Sequence, residues 1–179
     1  MTASLAREAV EALAAAGLTV GTAESLTGGL LCAALVDVPG ASAVVRGGVI
    51  AYAADLKTSV LGVDADLVAD VGTVHPQVAA QLARGARTVL DCDIALATTG
   101  VAGPDSLDGH PVGTVHLALA DASGVLVQEC RLAGTRSQIR EATVARALDM
   151  LSRHLGTLRD GGDGPCYRGP DAFDDEREE

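Results

Sequence analysis

Residues 22–29 read TAESLTGG and join two apolar stretches, LTVGTA at 18–23 and LLCAALV at 30–36. The first stretch is typical of a short buried strand, and residues 27–37 are typical of a helix. A polar segment therefore lies where a strand is followed by a helix. Ligand sites of α/β proteins gather at such carboxyl ends of strands. This junction predicts both an α/β fold and the place of its site.

The same alternation continues along the chain. Four further strands are predicted in GGVIAY, DIALATTG, TVHLALA and VLVQECRL, with DASG as a hairpin turn between the last two. Helices are predicted from Ser4 to Gly17, over 54–62, around 64–72, from Pro76 to residue 90, and over 135–155. Helices between short strands, together with one hairpin, predict a three-layer α/β/α sandwich with a mixed central sheet.

The 179 residues suit one domain, which we place at 1–158. Residues 159–179 are rich in glycine, proline and acidic side chains, and we expect this tail to be disordered.

Composition argues against several classes of protein. The net charge of −11 opposes a general nucleic-acid surface, because phosphate binding depends on lysine and arginine. No apolar run approaches the ~20 residues that cross a membrane, and the N-terminus resembles an amphipathic helix, so we expect a cytoplasmic protein. Its cysteines and histidines show no metal-binding spacing, so we expect no metal.

Ser25 stands at the predicted helix start. Ser25 or Thr27 can accept hydrogen bonds from the first N–H groups of the helix, which is a structural role. The same N–H groups, with Gly28 and Gly29 giving close access, can also hold an oxyanion or a phosphate. The two roles are compatible.

A serine nucleophile needs a base, and no histidine stands in a triad motif. Lys57 is the only lysine of the chain. It can be a solvated side chain on a helix, or a base if burial lowers its pKa. Only the fold can bring it to Ser25, because the two are too far apart for an SxxK motif. Tyr52, five residues earlier, can relay a proton or be an ordinary core tyrosine.

Two further segments carry polar groups toward the same predicted edge. TTGVAGPD, with Thr99 and Gly100, can present backbone donors. Arg136 and Arg140 share one side of the last predicted helix, where they can form surface salt bridges or bind a phosphate.

Together, TAESLTGGLL, VPGAS, GGVIAYAADLKTSVLGV, ATTGVAGPD, PVGTVHLALA and GTRSQIREAT resemble the CinA C-terminal domain family over roughly residues 4–155. That family includes nicotinamide-nucleotide amidohydrolases, and the chain resembles their stand-alone form. The resemblance implies an α/β/α domain that hydrolyses the carboxamide of nicotinamide mononucleotide (NMN), as in pyridine nucleotide salvage. It also implies that no cofactor is needed and that the protein is a homodimer.

The resemblance further implies a role for each motif residue. Ser25 would be the nucleophile, Lys57 its base, and Tyr52 a helper in proton transfer. N–H groups near Gly28 and Gly29 would hold the oxyanion. The remaining residues expected to bind substrate are Thr27, Thr99, Gly100, Arg136 and Arg140, the last as the phosphate ligand.

The chain departs from the family pattern just before the lysine. The family usually reads Tyr-Ser-Asn-Glu-Ala-Lys, and here the Ser and Asn are replaced by Ala53 and Ala54. A nucleotide-binding or regulatory module without turnover, or an amidase for another small carboxamide, are therefore the alternatives to an NMN amidohydrolase.

Overall fold

A computed structural model describes residues 2–159, so the predicted tail lies outside the described residues except for Arg159. The chain forms six α-helices, one short 3₁₀ helix (Ala41–Ala43) and five strands over this range. They are α1 (Thr2–Ala16), β1 (Val20–Glu24), α2 (Leu30–Val36), β2 (Val45–Ile50), α3 (Ala54–Leu61), α4 (Ala65–Val71), α5 (Pro76–Val89), β3 (Ile94–Gly100), β4 (Thr114–Ala120), β5 (Val125–Arg131) and α6 (Arg136–Arg159).

The five strands form one sheet in the order β2-β1-β3-β4-β5. β1 runs parallel to both β2 and β3, whereas β4 is antiparallel to β3 and β5. The predicted mixed sheet and its hairpin are thus confirmed. β1 lies between two parallel strands, β2 and β3. Its carboxyl end, at Glu24, is therefore in the middle of the row formed by the carboxyl ends of these three strands.

Helices cover both faces of the sheet, which confirms the three-layer fold. Ile94, Leu96 and Leu117 pack with α1, α2 and α6 in one core. The opposite face presents alanines to α5, among them Ala97 and Ala118. All seven residues of β4 are buried. The alternation in TVHLALA is therefore one of side-chain size between two cores, and neither face of β4 is exposed.

α3 and α5 are in close contact at Gly85. A Cβ at this position would lie 1.9 Å from the carbonyl oxygen of Leu61, the last residue of α3. Only glycine permits this approach. α3, which carries Lys57, is thereby held against α5.

The helix ends differ in detail from the prediction. α2 begins at Leu30 and not at residue 27, because residues 25–29 form a turn in which Gly29 has a φ of 96°. α6 continues to Arg159, one residue beyond the predicted domain boundary. Pro76 occupies the first turn of α5 as predicted, and His75 caps that helix by accepting from the Gln77 N–H at 3.3 Å. None of the described helices has the length and apolar character that crossing a membrane requires.

Candidate active site

Ser25 follows directly on β1 and faces the α5 side of the sheet. Successive side chains of a strand point to opposite faces, and Ala23 belongs to the alanine core. Ser25 continues this alternation by one step, since its N–H donates to the carbonyl oxygen of Thr98 on β3 at 3.0 Å. The serine is half-buried. Its hydroxyl therefore stands at the carboxyl end of the central parallel strand.

Lys57 of α3 reaches the serine from the neighbouring layer. Its side chain is buried, with 1% of its surface exposed. Its Nζ lies 3.2 Å from Ser25 Oγ, 2.6 Å from the carbonyl oxygen of Ala51 and 3.5 Å from that of Tyr52. The fold thus brings together two residues 32 positions apart in the chain.

The surroundings of Lys57 favour its neutral amine. Burial lowers the pKa of Lys57 below its ordinary value. No salt bridge among residues 2–159 includes it. As an ammonium, Lys57 can donate to all three neighbours, the Ser25 hydroxyl and the carbonyl oxygens of Ala51 and Tyr52. As a neutral amine, it can donate to the two carbonyl oxygens and accept the hydroxyl proton of Ser25.

Glu24 is a residue of the site to which the sequence analysis gave no role. Its carboxylate is buried and accepts the N–H groups of Gly29 at 2.9 Å, Leu31 at 3.0 Å and Cys32 at 2.7 Å. The Thr22 hydroxyl also donates to it, at 3.1 Å. An anion is stabilised at the positive N-terminal end of a helix.

The expected capping of α2 by Ser25 or Thr27 is therefore wrong. Glu24 performs it, which leaves the Ser25 hydroxyl available to Lys57. The signal for this role was an acidic residue inside an apolar strand, placed just before a helix start.

The turn at 25–29 distributes its backbone donors unevenly. The Gly28 N–H donates to the carbonyl oxygen of Ser25 at 3.1 Å, and the Gly29 N–H donates to Glu24. The N–H groups of Gly28 and Gly29 themselves are thus already in use, and the other N–H groups near these glycines are those of Leu26 and Thr27. Those of Leu26 and Thr27 donate to no group in the described part of the chain, although both residues are buried. These two N–H groups are therefore available to a ligand.

The threonines of the site connect strands and loops. Thr27 Oγ1 lies 2.7 Å from Thr98 Oγ1, so its side chain points to β3. The Thr99 hydroxyl donates to the carbonyl oxygen of Thr73 at 2.7 Å and holds the segment before α5. Gly100 permits close approach of β4, because a Cβ there would lie 2.5 Å from the Thr114 carbonyl oxygen. All three predicted residues lie at the same sheet edge as Ser25.

The remaining predicted residues fall into two groups. Arg136 and Tyr52 lie at the rim of the site, and Arg140 contacts the Ser25 turn. Arg136 donates to the Tyr52 hydroxyl at 2.9 Å and to the Gly103 carbonyl oxygen at 2.7 Å. Tyr52 is 60% exposed, and its hydroxyl bonds to neither Ser25 nor Lys57. Arg140 instead reaches the turn itself, donating from Nε to the carbonyl oxygen of Leu26 and from Nη2 to that of Thr27, both at 2.8 Å.

His116 is a further polar group of this region that the sequence analysis did not single out. It lies on β4 directly opposite Thr99 and is 3% exposed. Its Nδ1 has no hydrogen-bond partner among the described residues. Burial lowers its pKa, so the imidazole is neutral near neutral pH. Directly opposite residues share a face, which places His116 on the Thr99 side of the sheet.

Other parts of the described chain offer no comparable site. No group of three or more His, Cys, Asp or Glu residues within 2–159 is placed to hold a metal ion. A groove of about 490 Å³ between α1 and α6 includes Ser152, but no histidine or lysine lines it. Among residues 2–159, Ser25 and Lys57 therefore form the candidate active site.

Fold and site define a class of protein, an α/β/α domain with a serine beside a buried lysine at the end of its central parallel strand. Residues 2–155 match the family model of the CinA C-terminal domain. The chain belongs to the CinA C-terminal domain family.

Relatives and solved structures agree with this assignment. A CinA-like protein of Frankia casuarinae is 49% identical over 140 residues, which are 78% of this chain and 32% of the relative. A protein of Shewanella oneidensis named nicotinamide-nucleotide amidohydrolase PncC is 44% identical over 155 residues, 86% of this chain and 37% of the relative. The chain thus spans about a third of the length of these relatives.

Among solved structures, the competence/damage inducible protein CihA of Agrobacterium tumefaciens superposes with a TM-score of 0.83 at 42% identity. That match covers 87% of this chain and 95% of the other. A CinA superfamily protein of Klebsiella pneumoniae gives a TM-score of 0.85 at 32% identity, covering 87% and 98% respectively. These proteins share the domain over nearly their whole length.

Proposed function

We propose that this protein is an amidohydrolase that converts NMN to nicotinate mononucleotide and ammonia. The observation that carries the proposal is the 3.2 Å approach of the buried Lys57 amine to the Ser25 hydroxyl. A nucleophile and a base within hydrogen-bond reach are what covalent catalysis of amide hydrolysis requires. Neither needs a bound cofactor.

In the first half-reaction Ser25 Oγ attacks the carboxamide carbon while its proton passes to Lys57 Nζ. The carbonyl π bond opens, and its oxygen becomes an oxyanion. As the C–N bond then breaks, the Lys57 ammonium returns the proton to the departing nitrogen, which leaves as ammonia. The product is an ester of Ser25.

In the second half-reaction water attacks this ester, and Lys57 again accepts the proton. The proton then passes to Ser25 Oγ as the ester bond breaks and the acid leaves. One water is consumed for each ammonia released. The same amine thus acts as base and acid in turn, and burial favours this role by lowering the pKa of Lys57 below its ordinary value.

The unpaired N–H groups of Leu26 and Thr27 are the best-placed oxyanion donors. They belong to the two residues that follow the nucleophile, and they are the donors of the turn without a protein partner. An N–H of the residue after the nucleophile serves the same purpose in other hydrolases. In this proposal Gly28 and Gly29 shape the turn and give access to it.

The choice of NMN rests on the relative and on the site rim. A relative with 44% identity is named nicotinamide-nucleotide amidohydrolase. Arg136 is exposed and adjoins the Tyr52 hydroxyl, so the two form a polar rim at which the substrate phosphate would bind. Thr99, whose hydroxyl oxygen can still accept a hydrogen bond, would orient the carboxamide. Tyr52 then acts in binding, and its part in proton transfer stays a prediction.

Lys57 reaches Ser25 in this chain without a polar side chain at position 53 or 54. Ala53 and Ala54 are both exposed at the start of α3, and none of the three groups around Lys57 Nζ is a side chain at these positions. The lysine is held by backbone carbonyls that any residue would supply. With the nucleophile and base still in contact, an enzyme is better supported than a module without turnover.

The test is ammonia release from NMN by the purified, metal-free protein beside its Ser25→Ala variant. We expect release by the first and only background release by the second, with equal thermal unfolding of both. Ammonia release from other pyridine carboxamides but not from NMN would show that the substrate is a different carboxamide. Binding of NMN with no release by the wild type would instead support the nucleotide-binding module.

We also propose a homodimer, as the family resemblance implies. Support comes from exposed apolar side chains at one edge of the sheet and on α3, namely Ile50, Leu56 and Val60. Sedimentation of the wild type at micromolar concentration tests it, and a monomer would contradict it. The cytoplasmic location stays a prediction from the sequence.

A further inference from the structure

We infer that Arg140 is a positioning residue that sets the oxyanion donors of the Ser25 turn, rather than a ligand of the substrate phosphate. This inference rests on the proposed function, because it assigns a role within that reaction. It starts from two contacts that span more than a hundred residues. Arg140 Nε and Nη2 donate to the carbonyl oxygens of Leu26 and Thr27, each at 2.8 Å.

The planarity of the peptide group transmits these contacts to the site. In a trans peptide the C=O and the N–H point in opposite directions. The peptide that carries the Leu26 carbonyl also carries the Thr27 N–H. Fixing the first with Arg140 Nε therefore fixes the direction of the second, which is one of the two unpaired donors.

The other peptides of the turn are fixed in the same manner. The Thr27 carbonyl, held by Arg140 Nη2, shares its peptide with the Gly28 N–H, which donates to the carbonyl oxygen of Ser25 at 3.1 Å. That carbonyl in turn shares its peptide with the Leu26 N–H, the second unpaired donor. Arg140 thus determines one donor directly and supports the other through the Gly28 contact.

Charge adds to this geometric effect. A guanidinium that donates to a carbonyl polarises the peptide, which strengthens its N–H as a donor. Because Nε and Nη2 of Arg140 are both bonded to backbone carbonyls, this side chain cannot readily turn toward a substrate phosphate. Arg136 at the rim, which contacts the exposed Tyr52 hydroxyl, is better placed for that purpose.

The experiment compares Arg140→Ala and Arg140→Lys with the control Arg153→Ala. Arg153 lies on the same helix, where it is exposed and forms a salt bridge with Asp149. Steady-state kinetics are measured with NMN and with nicotinamide riboside, which lacks the phosphate. Loss of one oxyanion donor costs about 10²–10³ in kcat. We expect a fall in kcat of this order in Arg140→Ala for both substrates, with KM nearly unchanged and the control unaffected.

A phosphate role predicts a different pattern, a higher KM for NMN alone with kcat retained, and this result would overturn the inference. Arg140→Lys offers one ammonium in place of two fixed donors, so its kcat should lie between those of wild type and Arg140→Ala. It also serves if the alanine variant fails to fold. An Arg140→Lys enzyme with unchanged kcat would equally refute the inference.

A second readout does not depend on the substrate. A pyridine-3-boronic acid forms a tetrahedral adduct with an active-site serine and places an oxygen in the oxyanion position. Its affinity should fall in the Arg140 variants in parallel with kcat, and Arg153→Ala should bind it as wild type does. If wild type binds the boronate but releases no ammonia from NMN, the proposed substrate fails while the role of Arg140 is still tested. Equal boronate affinity in all variants would reject that role.

Discussion

Glu24→Gln should destabilise the protein strongly, although it changes only one atom and the charge. The carboxylate accepts three backbone N–H groups and the Thr22 hydroxyl. A glutamine has one acceptor oxygen and one NH₂ group. If the NH₂ replaces Oε2, it faces the N–H groups of Gly29 and Leu31. If it replaces Oε1, it faces that of Cys32, while the Thr22 hydroxyl can turn to accept.

The second orientation costs least and sets the expected magnitude. One buried N–H without an acceptor costs about 1–3 kcal/mol, and hydrogen bonds to a charged group are worth about 1.5–3 kcal/mol, more than neutral ones. We therefore expect a loss of about 2–4 kcal/mol in the free energy of unfolding. For a protein of this size that lowers Tm by about 4–16 °C.

Urea unfolding followed by circular dichroism measures this loss. Glu11→Gln, an exposed residue of α1, is the matched control and should stay within about 0.5 kcal/mol of wild type. If Glu24→Gln is as stable as this control, the carboxylate does not cap α2 in the way described. Turnover should fall as well, since the cap adjoins the Ser25 turn.

Three further predictions concern α3 and its neighbours. Gly85→Ala should destabilise the protein by about 1–3 kcal/mol, because its Cβ would meet Leu61. Gly156→Ala, which lies in open space, should stabilise it by about 0.5–1 kcal/mol. If urea unfolding ranks the two variants the other way, the close packing at Gly85 is refuted. Ala53→Ser should raise the free energy of unfolding by about 1 kcal/mol, because Ala53 is the N-cap of α3 and its side chain cannot accept a hydrogen bond. An unchanged midpoint of urea unfolding would contradict this prediction. Burial lowers the pKa of Lys57 in the folded protein, so between the folded-state and unfolded-state pKa values the unfolded chain binds more protons. The free energy of unfolding of the wild type should therefore rise with pH in that range. A Lys57→Met variant whose free energy of unfolding rises equally with pH would refute this prediction.

The elements of the fold could be predicted because each depends on local signals. Apolar runs bounded by glycine gave the strands, and Pro76 gave the start of α5. The hairpin between β4 and β5 followed from DASG. The predicted helix start at residue 27 was wrong, because the first N–H groups of α2 are bonded by the side chain of Glu24 and the helix begins only at Leu30. Nothing within residues 27–30 reveals that acceptor.

The site could be predicted only in part, and for a related reason. Residue type and the resemblance selected Ser25 and Lys57, but only packing of α3 against α5 places the amine at the hydroxyl. Donor groups were harder, since whether an N–H is free depends on its partners. Gly28 and Gly29 looked available in the sequence, yet their N–H groups are used inside the turn.

The reach of Arg140 has a consequence for how the protein is made in the cell. Ser25 and Lys57 leave the ribosome early, and their contact spans only 32 residues. The contacts from Arg140 to the turn span 114 and 113 residues, so they form only after most of the chain has been translated. A nascent or prematurely terminated chain that lacks α6 therefore contains Ser25 and Lys57 but not the arginine that contacts the turn. On the role inferred for Arg140, the donors of the Ser25 turn are therefore oriented only once α6 has been made.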